Sequence, residues 1–570
     1  MKTRLLAVVL LLVMGLFIVA CANEPGIDAH YEEDTGYNKA PDTLTLEPDE
    51  NETYLEPIDH IFPTMHITTY YDPFIQERTF WHNGTITLTG APEGLNFEDI
   101  DARIRGRGNS TWWRGPDKRP LRFRFREARP MMGSNHAATD WILLANHFDR
   151  SLLRNYSALY LGNLLDGLGF TPVPHHIQLY VNGEYMGVYL LTDERNAGPG
   201  RMNIVWNEDP SISDFFLELD ARAYQTGVLD ETFVRVSGLF YDLRYPDDLS
   251  PQHVDYVRDF LTAVSHAIRR QSFDEILNLI DLDSFVDFYI VQELYKDIDA
   301  RDLSTFMYIT GTGNERRLFK GPIWDFDLAA GNAGNQPMGY GPEGLYVAEV
   351  NYWYRYLMRR PEFFHAVQTR WNEIRHREIA QTIDRIGYVA TRYQNEFERN
   401  FIRHPDVMGR AQMATPQEIL EIDNFMGHVE HLVNWLETRA NWLDDILNGR
   451  TAFYNHLAAW IESQNHNINI ILNGEIQEFD IPPIIFHNRT MLPLQELEML
   501  MAVLHDTEVA ITYRYGDLVI DKGGEIFELS VPASLKIRDN IYLPIRTIAD
   551  AFGYGLRFVS DTHTIYITYP

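Results

Sequence analysis

The chain has 570 residues, 45% of them hydrophobic, which is enough for more than one core. With 49 basic against 81 acidic residues its formal charge is −32, which argues against nonspecific binding to nucleic acid or to an anionic membrane surface. The single cysteine excludes an intrachain disulfide and a cysteine-based zinc site.

Lys2 and Arg4 precede an apolar run from Leu5 to Ala20, followed by Cys21. The run is short for a membrane span and reads as a secretory signal over residues 1–20. Ile18-Val19-Ala20-Cys21 resembles a lipobox, in which the cysteine is lipidated after cleavage. The expectation is a lipoprotein on the extracellular face of the cell membrane, touching that membrane through its N-terminal lipid alone. From Glu24 to Asp59 the chain is rich in Asp, Glu and Pro with Lys39 as its one Lys or Arg, so residues 21–60 read as an acidic disordered linker.

A basic island follows. Arg103, Arg105, Arg107, Arg114, Lys118, Arg119, Arg122, Arg124, Arg126 and Arg129 stand against only Asp117 and Glu127. Leu121, Phe123 and Phe125 alternate with Arg122, Arg124 and Arg126, which predicts a strand with one apolar face and one guanidinium face. Such forks suit phosphate or carboxylate oxygens, although pairing with the chain's own acids accounts for about half of them as a rough prior. Arg105-Gly106-Arg107-Gly108 predicts a tight turn whose amides approach an anion.

Asp149 is placed to cap an amphipathic helix that begins near Asn155. Ile177–Val181, the Asn182-Gly183 turn and Tyr185–Thr192 predict a β-hairpin. Glu194 and Glu218 are each candidates to pair with Lys118 or an arginine, and Glu194 reads equally well as a surface carboxylate. His175-His176, flanked by prolines, reads as a loop. Leu279–Lys296 and Pro361–Ile383 read as helices with Phe363 and Trp371 in the core.

Gly321–Asn332 (GPIWDFDLAAGN) sets Asp325 and Asp327 one residue apart between an apolar run and a glycine-rich turn. In a strand that spacing puts both on one face, which is costly unless a cation holds them, and crowded oxygen ligands suit a hard metal. Asn332 reads as a turn residue.

Six ordered stretches carry a resemblance: Arg103–Trp112 (RIRGRGNSTW), Lys118–Phe125 (KRPLRFRF), Trp141–Asn155 (WILLANHFDRSLLRN), Val181–Thr192 (VNGEYMGVYLLT), Phe216–Asp220 and Gly321–Asn332. Together they make residues 61–449 similar to the spore-coat CotH kinase family of atypical protein kinases. The resemblance implies an α+β, kinase-like fold with a sheet-rich N-terminal part and a helical C-terminal part. It also implies ATP and Mg2+ as cofactors and transfer of the γ-phosphate to Ser or Thr of a protein substrate. Carried over residue by residue, it assigns phosphate contacts to Lys118, with Arg105, Arg107 and Glu218 beside it, and metal binding to Asp325 with Asp327. The catalytic base is expected one hairpin earlier, as in ordinary kinases. Phe306–Thr310 and Arg317–Lys320 form that hairpin, and Asp299 precedes it. Asp297 stands where family members carry Asn, and Asp302 is a weaker candidate.

After a helical connector at residues 450–465, the composition turns β-rich over residues 466–570. Leu492–Leu497 (LPLQEL) recurs in outline as Leu543–Ile548 (LPIRTI), an internal repeat of strand, proline-bounded turn and short helix. This region resembles the copper amine oxidase N-terminal-like, or stalk, domain of Gram-positive surface proteins. His487, His505 and His563 are scattered, so the expectation is a structural or adhesive role such as cell-wall contact. For the whole chain, a surface adhesin or scaffold without turnover is the alternative to a kinase. Hydrolysis by paired carboxylates is weaker, because nothing selects a sugar.

Overall fold

The structure is a computed structural model that describes residues 62–449 and 468–568. The exceptions are 72–74, 76, 116–117, 133, 135, 199, 222–231, 247, 271, 335 and 410–415, with 473–474, 480–482, 487–488, 506–508, 515–516, 524, 531–534, 538–539 and 560–563 in the C-terminal part. The signal, Cys21, the acidic linker and the connector lie outside the described residues, as do His487 and His563. The chain is mixed α+β and divides into two units, one holding most of residues 62–440 and the other mainly 441–570.

In the first unit, seven strands close into a barrel: β1 (Thr64–Thr69), β2 (His82–Thr89), β3 (Phe97–Gly106), β4 (Leu121–Arg129), β5 (Ala138–Leu144), β6 (His175–Val181) and β7 (Glu184–Asp193). Their order is β1-β2-β3-β4-β5-β7-β6, and a parallel β1–β6 pairing seals the ring. Alternation drives closure, since Leu121, Phe123 and Phe125 of β4 point into a core with Ile104, Ile177 and Leu179. The intervening arginines face outward, and Arg103, Arg105, Arg122 and Arg124 each lie 4.8–5.9 Å from the ring of Trp81. The β6–β7 turn has Asn182 and Gly183 both at positive φ, 51° and 85°, which these two residue types accept.

A five-stranded sheet in the order β12-β11-β8-β10-β9 completes the unit's β-structure. It comprises β8 (Phe215–Leu219), β9 (Phe233–Val236), β10 (Leu239–Tyr245), β11 (Thr305–Thr310) and β12 (Arg317–Lys320). The helix Leu282–Tyr295 packs on β12 and Pro361–Ile374 packs on that helix; Ala380–Arg392 and Phe425–Asn448 follow. Phe363 and Trp371 are fully buried, as expected. The helix predicted through Ile383 is continuous only by way of a wider π turn at Arg375–Ile379.

Two local expectations need correction. His175 and His176 are strand residues, because they pair with Leu191 and Leu190 of β7. The helix Arg154–Leu164 is buried on nearly all sides rather than amphipathic, since it packs against Leu282–Tyr295, Ala380–Arg392 and the Phe326–Leu328 turn.

In the second unit, the strand Arg489–Pro493 runs straight into the helix Leu494–His505, and Asn540–Pro544 into Ile545–Phe552. The two strands pair antiparallel with Leu492 opposite Leu543, so the sequence repeat becomes two similar halves facing each other. Proline ends both strands, and Leu492, Leu497, Leu543 and Ile548 all enter one core.

Candidate functional site

The loop between the helix Leu282–Tyr295 and β11 carries the first acids. Asp297 caps a short 3-10 turn, Ile298–Arg301, and its Oδ1 accepts the Asp299 amide at 3.2 Å. Its Oδ2 is buried with no partner among the described residues. Asp299 is half-buried, and its Oδ2 accepts the Ser304 hydroxyl at 3.0 Å; that same hydroxyl lies 3.2 Å from Asp325 Oδ2. Asp302 turns away toward Arg301, at 3.4 Å.

The segment Gly321–Trp324 is extended, but Asp325 sits in the left-handed region at φ 72° and a 3-10 turn, Phe326–Leu328, follows. Asp325 therefore precedes a turn and Asp327 lies inside it, and the two do not share a strand face. What bends the chain is the Trp141–Asn155 stretch. Asn155 Oδ1 accepts the Phe326 amide at 2.7 Å, and Asn332 donates to the Phe148 carbonyl at 2.9 Å. Asp149 accepts the Arg154 amide at 2.8 Å, five residues on, and pairs with the Arg154 guanidinium at 2.6 Å. Arg154 then donates to the carbonyls of Ala329 and Ala330, at 2.9 and 3.2 Å. Asp149 thus satisfies the first amide of the helix without being its N-cap, which is Leu153, and also braces the acidic turn.

Asp297 and Asp327 are both buried, and burial together with the neighbouring Asp299 and Asp325 charges pushes both carboxyls well above the usual aspartate range. Four carboxylates on two adjoining loops create a demand for a cation. Among the described residues no three acidic, histidine or cysteine side chains already meet as a ligand set. Mg2+ takes one or two carboxylates and draws its other oxygens from phosphates and water, so the donor chemistry fits that ion when phosphates share the site.

Cations stand beside this cluster. Arg107, just past β3, and Arg195, just past β7, stack on Trp324 with guanidinium-to-ring distances of 5.6 and 4.9 Å. Glu194 lies between Arg122, at 3.4 Å, and Arg195, at 3.2 Å. Burial would raise its carboxyl, yet Arg122, Arg195, Arg107 and Arg105 overcome that and bring it down to about 2. It is an interior anion, not the surface carboxylate that was the other sequence reading. Burial, then Arg195, lowers Arg107 to about 10, which leaves it charged at neutral pH. Its guanidinium has no hydrogen-bonded or ion-paired partner among the described residues, while Asp325 acts on it electrostatically. Arg105 instead donates to the Arg78 carbonyl at 2.9 Å. The glycine turn offers less than its sequence suggests, because the Gly106 and Arg107 amides are taken by the carbonyls of Glu77 and Pro120.

Two further predicted residues, Lys118 and Glu218, have partners of their own. Lys118 is fully buried, and its Nζ donates to the Val188 carbonyl at 2.8 Å. Burial brings it down to about 7 against the opposing pull of Asp149. Glu218 on β8 pairs with Arg244 at 2.6 Å, and Arg244 also holds Asp242 at 2.7 Å.

The loop after the acidic turn is pinned beside the Asp299 loop. Lys296 donates to the carbonyls of Met338, Gly341 and Glu343. Glu293 accepts the amides of Tyr346 and Ala348 at 2.6 and 3.0 Å and pairs with Arg439 at 2.7 Å. Asn351 donates to the Ala300 carbonyl at 2.7 Å. Four non-glycine residues around the acids, Lys296, Ser304, Asp325 and Ala330, have φ between 44° and 72°, a concentration of left-handed backbone of the kind found at functional sites.

An acidic cluster beside a guanidinium with no hydrogen-bonded or ion-paired partner among the described residues is suited to a polyanion carried with a divalent cation. Arg195, Ser304 and Arg244 went unnoticed in the sequence, where Ser304 carried one signal, its place five residues after Asp299. No curated protein matches the chain. Residues 103–443, more than half of the chain, match the family described as CotH kinase protein, which spans the basic island, both acidic loops and the helices behind them. The chain belongs to the CotH kinase protein family.

Proposed function

We propose that this chain is an ATP- and Mg2+-dependent kinase that phosphorylates Ser or Thr of surface or secreted proteins. The observation that carries the reading is the Arg107 guanidinium, which has no hydrogen-bonded or ion-paired partner among the described residues and stacks on Trp324, the neighbour of Asp325. Phosphoryl transfer asks for that juxtaposition of phosphate-binding cations and metal-binding carboxylates. Arg107 and Arg195 hold the phosphates by charge-assisted hydrogen bonds, with Arg105 and Glu194 fixing their orientation. Lys118 and Glu218 support the site through β7 and β8. Asp325 and Asp327 would hold Mg2+, which when bound neutralises phosphate oxygens.

Asp299, half-buried where Asp297 is fully enclosed, accepts the proton of the attacking hydroxyl. The new bond joins that oxygen to the γ-phosphorus as the bond to the β-phosphate oxygen breaks, and ADP leaves. Calorimetric titration of the full chain with ATP and Mg2+, followed by transfer of labelled phosphate, tests this directly. Folded protein that binds no nucleotide would overturn it and leave the scaffold reading. Asp299→Ala and Asp325→Ala should each abolish transfer while the protein still unfolds cooperatively.

A lipid on Cys21 and an extracellular position complete the proposal, supported by the Ile18–Cys21 lipobox-like stretch. For the C-terminal unit we propose a stalk-like, wall-contacting role. Its paired strand–helix repeat and the exposure of Ile476, Ile526 and Phe558 support that reading.

A further inference from the structure

In ordinary protein kinases the fifth residue after the catalytic aspartate is an asparagine that holds metal. Five residues after Asp299 this chain has Ser304, whose side chain is too short to copy an asparagine amide. It is 6% exposed, its backbone is left-handed at φ 45°, and its hydroxyl touches Asp299 at 3.0 Å and Asp325 at 3.2 Å. A hydroxyl has one proton to donate, so a single oxygen sets the separation of two carboxylates from different loops. Serine gains nothing from a left-handed backbone that glycine would accept freely, so the hydroxyl is the reason for a side chain here.

We infer that Ser304 is a positioning residue that couples Asp299 to Asp325, taking the place of a metal-holding amide. This rests on the kinase reading above. The backbone at Asp299 is fixed independently by Asp297 Oδ1 and by the amides of Asp302 and Leu303, which donate to its carbonyl at 3.2 and 2.9 Å. What Ser304 governs is therefore the rotation of the two carboxylates rather than the path of the loop.

Ser304→Gly removes the hydroxyl and suits the backbone, whereas Ser304→Ala removes the hydroxyl and keeps the strain. Both variants should lose about 10–100-fold in kcat, with KM for ATP within about threefold of the parent. Binding of Mn2+ alone, followed by electron paramagnetic resonance without nucleotide, should weaken about 10-fold in both. The unfolding temperature of Ser304→Gly should not fall below that of Ser304→Ala. Full kcat and unchanged Mn2+ affinity in Ser304→Gly would overturn the inference, because the position would then need only its backbone. If the parent protein transfers no phosphate, the kinase reading fails, and the Mn2+ measurement decides on Ser304 alone. Weaker binding in both variants upholds the coupling, and equal binding ends it.

Discussion

Arg439 and Glu293 form a fully buried ion pair, 2.7 Å apart, that joins the long helix Phe425–Asn448 to the helix leading into the Asp299 loop. Arg439 also donates to the carbonyls of Pro342 and Gly344, while Glu293 receives the amides of Tyr346 and Ala348. Glu293→Ala therefore leaves a buried guanidinium without its counter-ion, though still bonded to carbonyls, and two amides without their acceptor. It should cost about 3–5 kcal/mol in denaturant unfolding. Arg439→Met should cost less, because the carboxylate keeps its two amide donors.

Asp327→Asn tests whether the acidic cluster stores repulsion. Burial and the neighbouring Asp325 and Asp299 charges make an ionised Asp327 unfavourable. Without divalent ions, the variant should unfold about 1–2 kcal/mol later than the parent at neutral pH, while losing transfer activity. A loss of stability in metal-free buffer would show that the repulsion is relieved inside the native protein.

Arg107→Ala and Lys118→Met separate phosphate contact from internal support. Among the described residues Arg107 has no hydrogen bond or ion pair to lose, only its stacking on Trp324, so Arg107→Ala should change stability by about 1 kcal/mol or less and weaken ATP binding by about 10-fold or more. Lys118 is enclosed beside Val188, so Lys118→Met should leave ATP affinity within a few-fold. Titration calorimetry on both variants decides the matter, and the reverse order would make Lys118 the phosphate ligand.

Lys320 gives a pH signature independent of the site. Its Nζ lies 4.8–5.9 Å from the rings of Phe285, Phe288, Trp353 and Tyr354, and burial lowers it to about 7 from 10.5. Between those values the unfolded chain binds the proton and the folded chain does not, so stability rises with pH across that window. Below the folded value the penalty for burying the charge is present in full. Lys320→Met should therefore stabilise by about 1–3 kcal/mol at pH 6 and flatten the rise in unfolding temperature between pH 7 and 9.

Features that depend on sequence neighbours were legible. The alternation Leu121–Arg126 marked the strand with one basic face, and Asn182-Gly183 marked the β6–β7 turn, because periods of two and left-handed turns leave local signatures. Asp325 and Asp327 announced a need for cations, but the bend between them depends on Asn155, 171 positions away. Glu194 looked ambiguous because its setting comes from strands remote in sequence, where Arg107 and Arg122 arrive from β3 and β4. Lys118 read as a phosphate contact, and its enclosure beside the Val188 carbonyl likewise depends on a strand remote in sequence. Composition records a charge, and only packing records whether that charge meets solvent, a partner or a wall of carbonyls.

The sealed barrel also governs how the protein bears load. β1 is clamped on both edges, antiparallel to β2 and parallel to β6, and just before it Phe62 donates to Glu396 at 3.0 Å and stacks on Tyr393 at 4.1 Å. A tug on the chain ahead of Phe62 would shear two ladders together instead of peeling one open. Mechanical rupture would then follow the unfolding rate of the whole barrel, so a tether at that end would pull on a strong point.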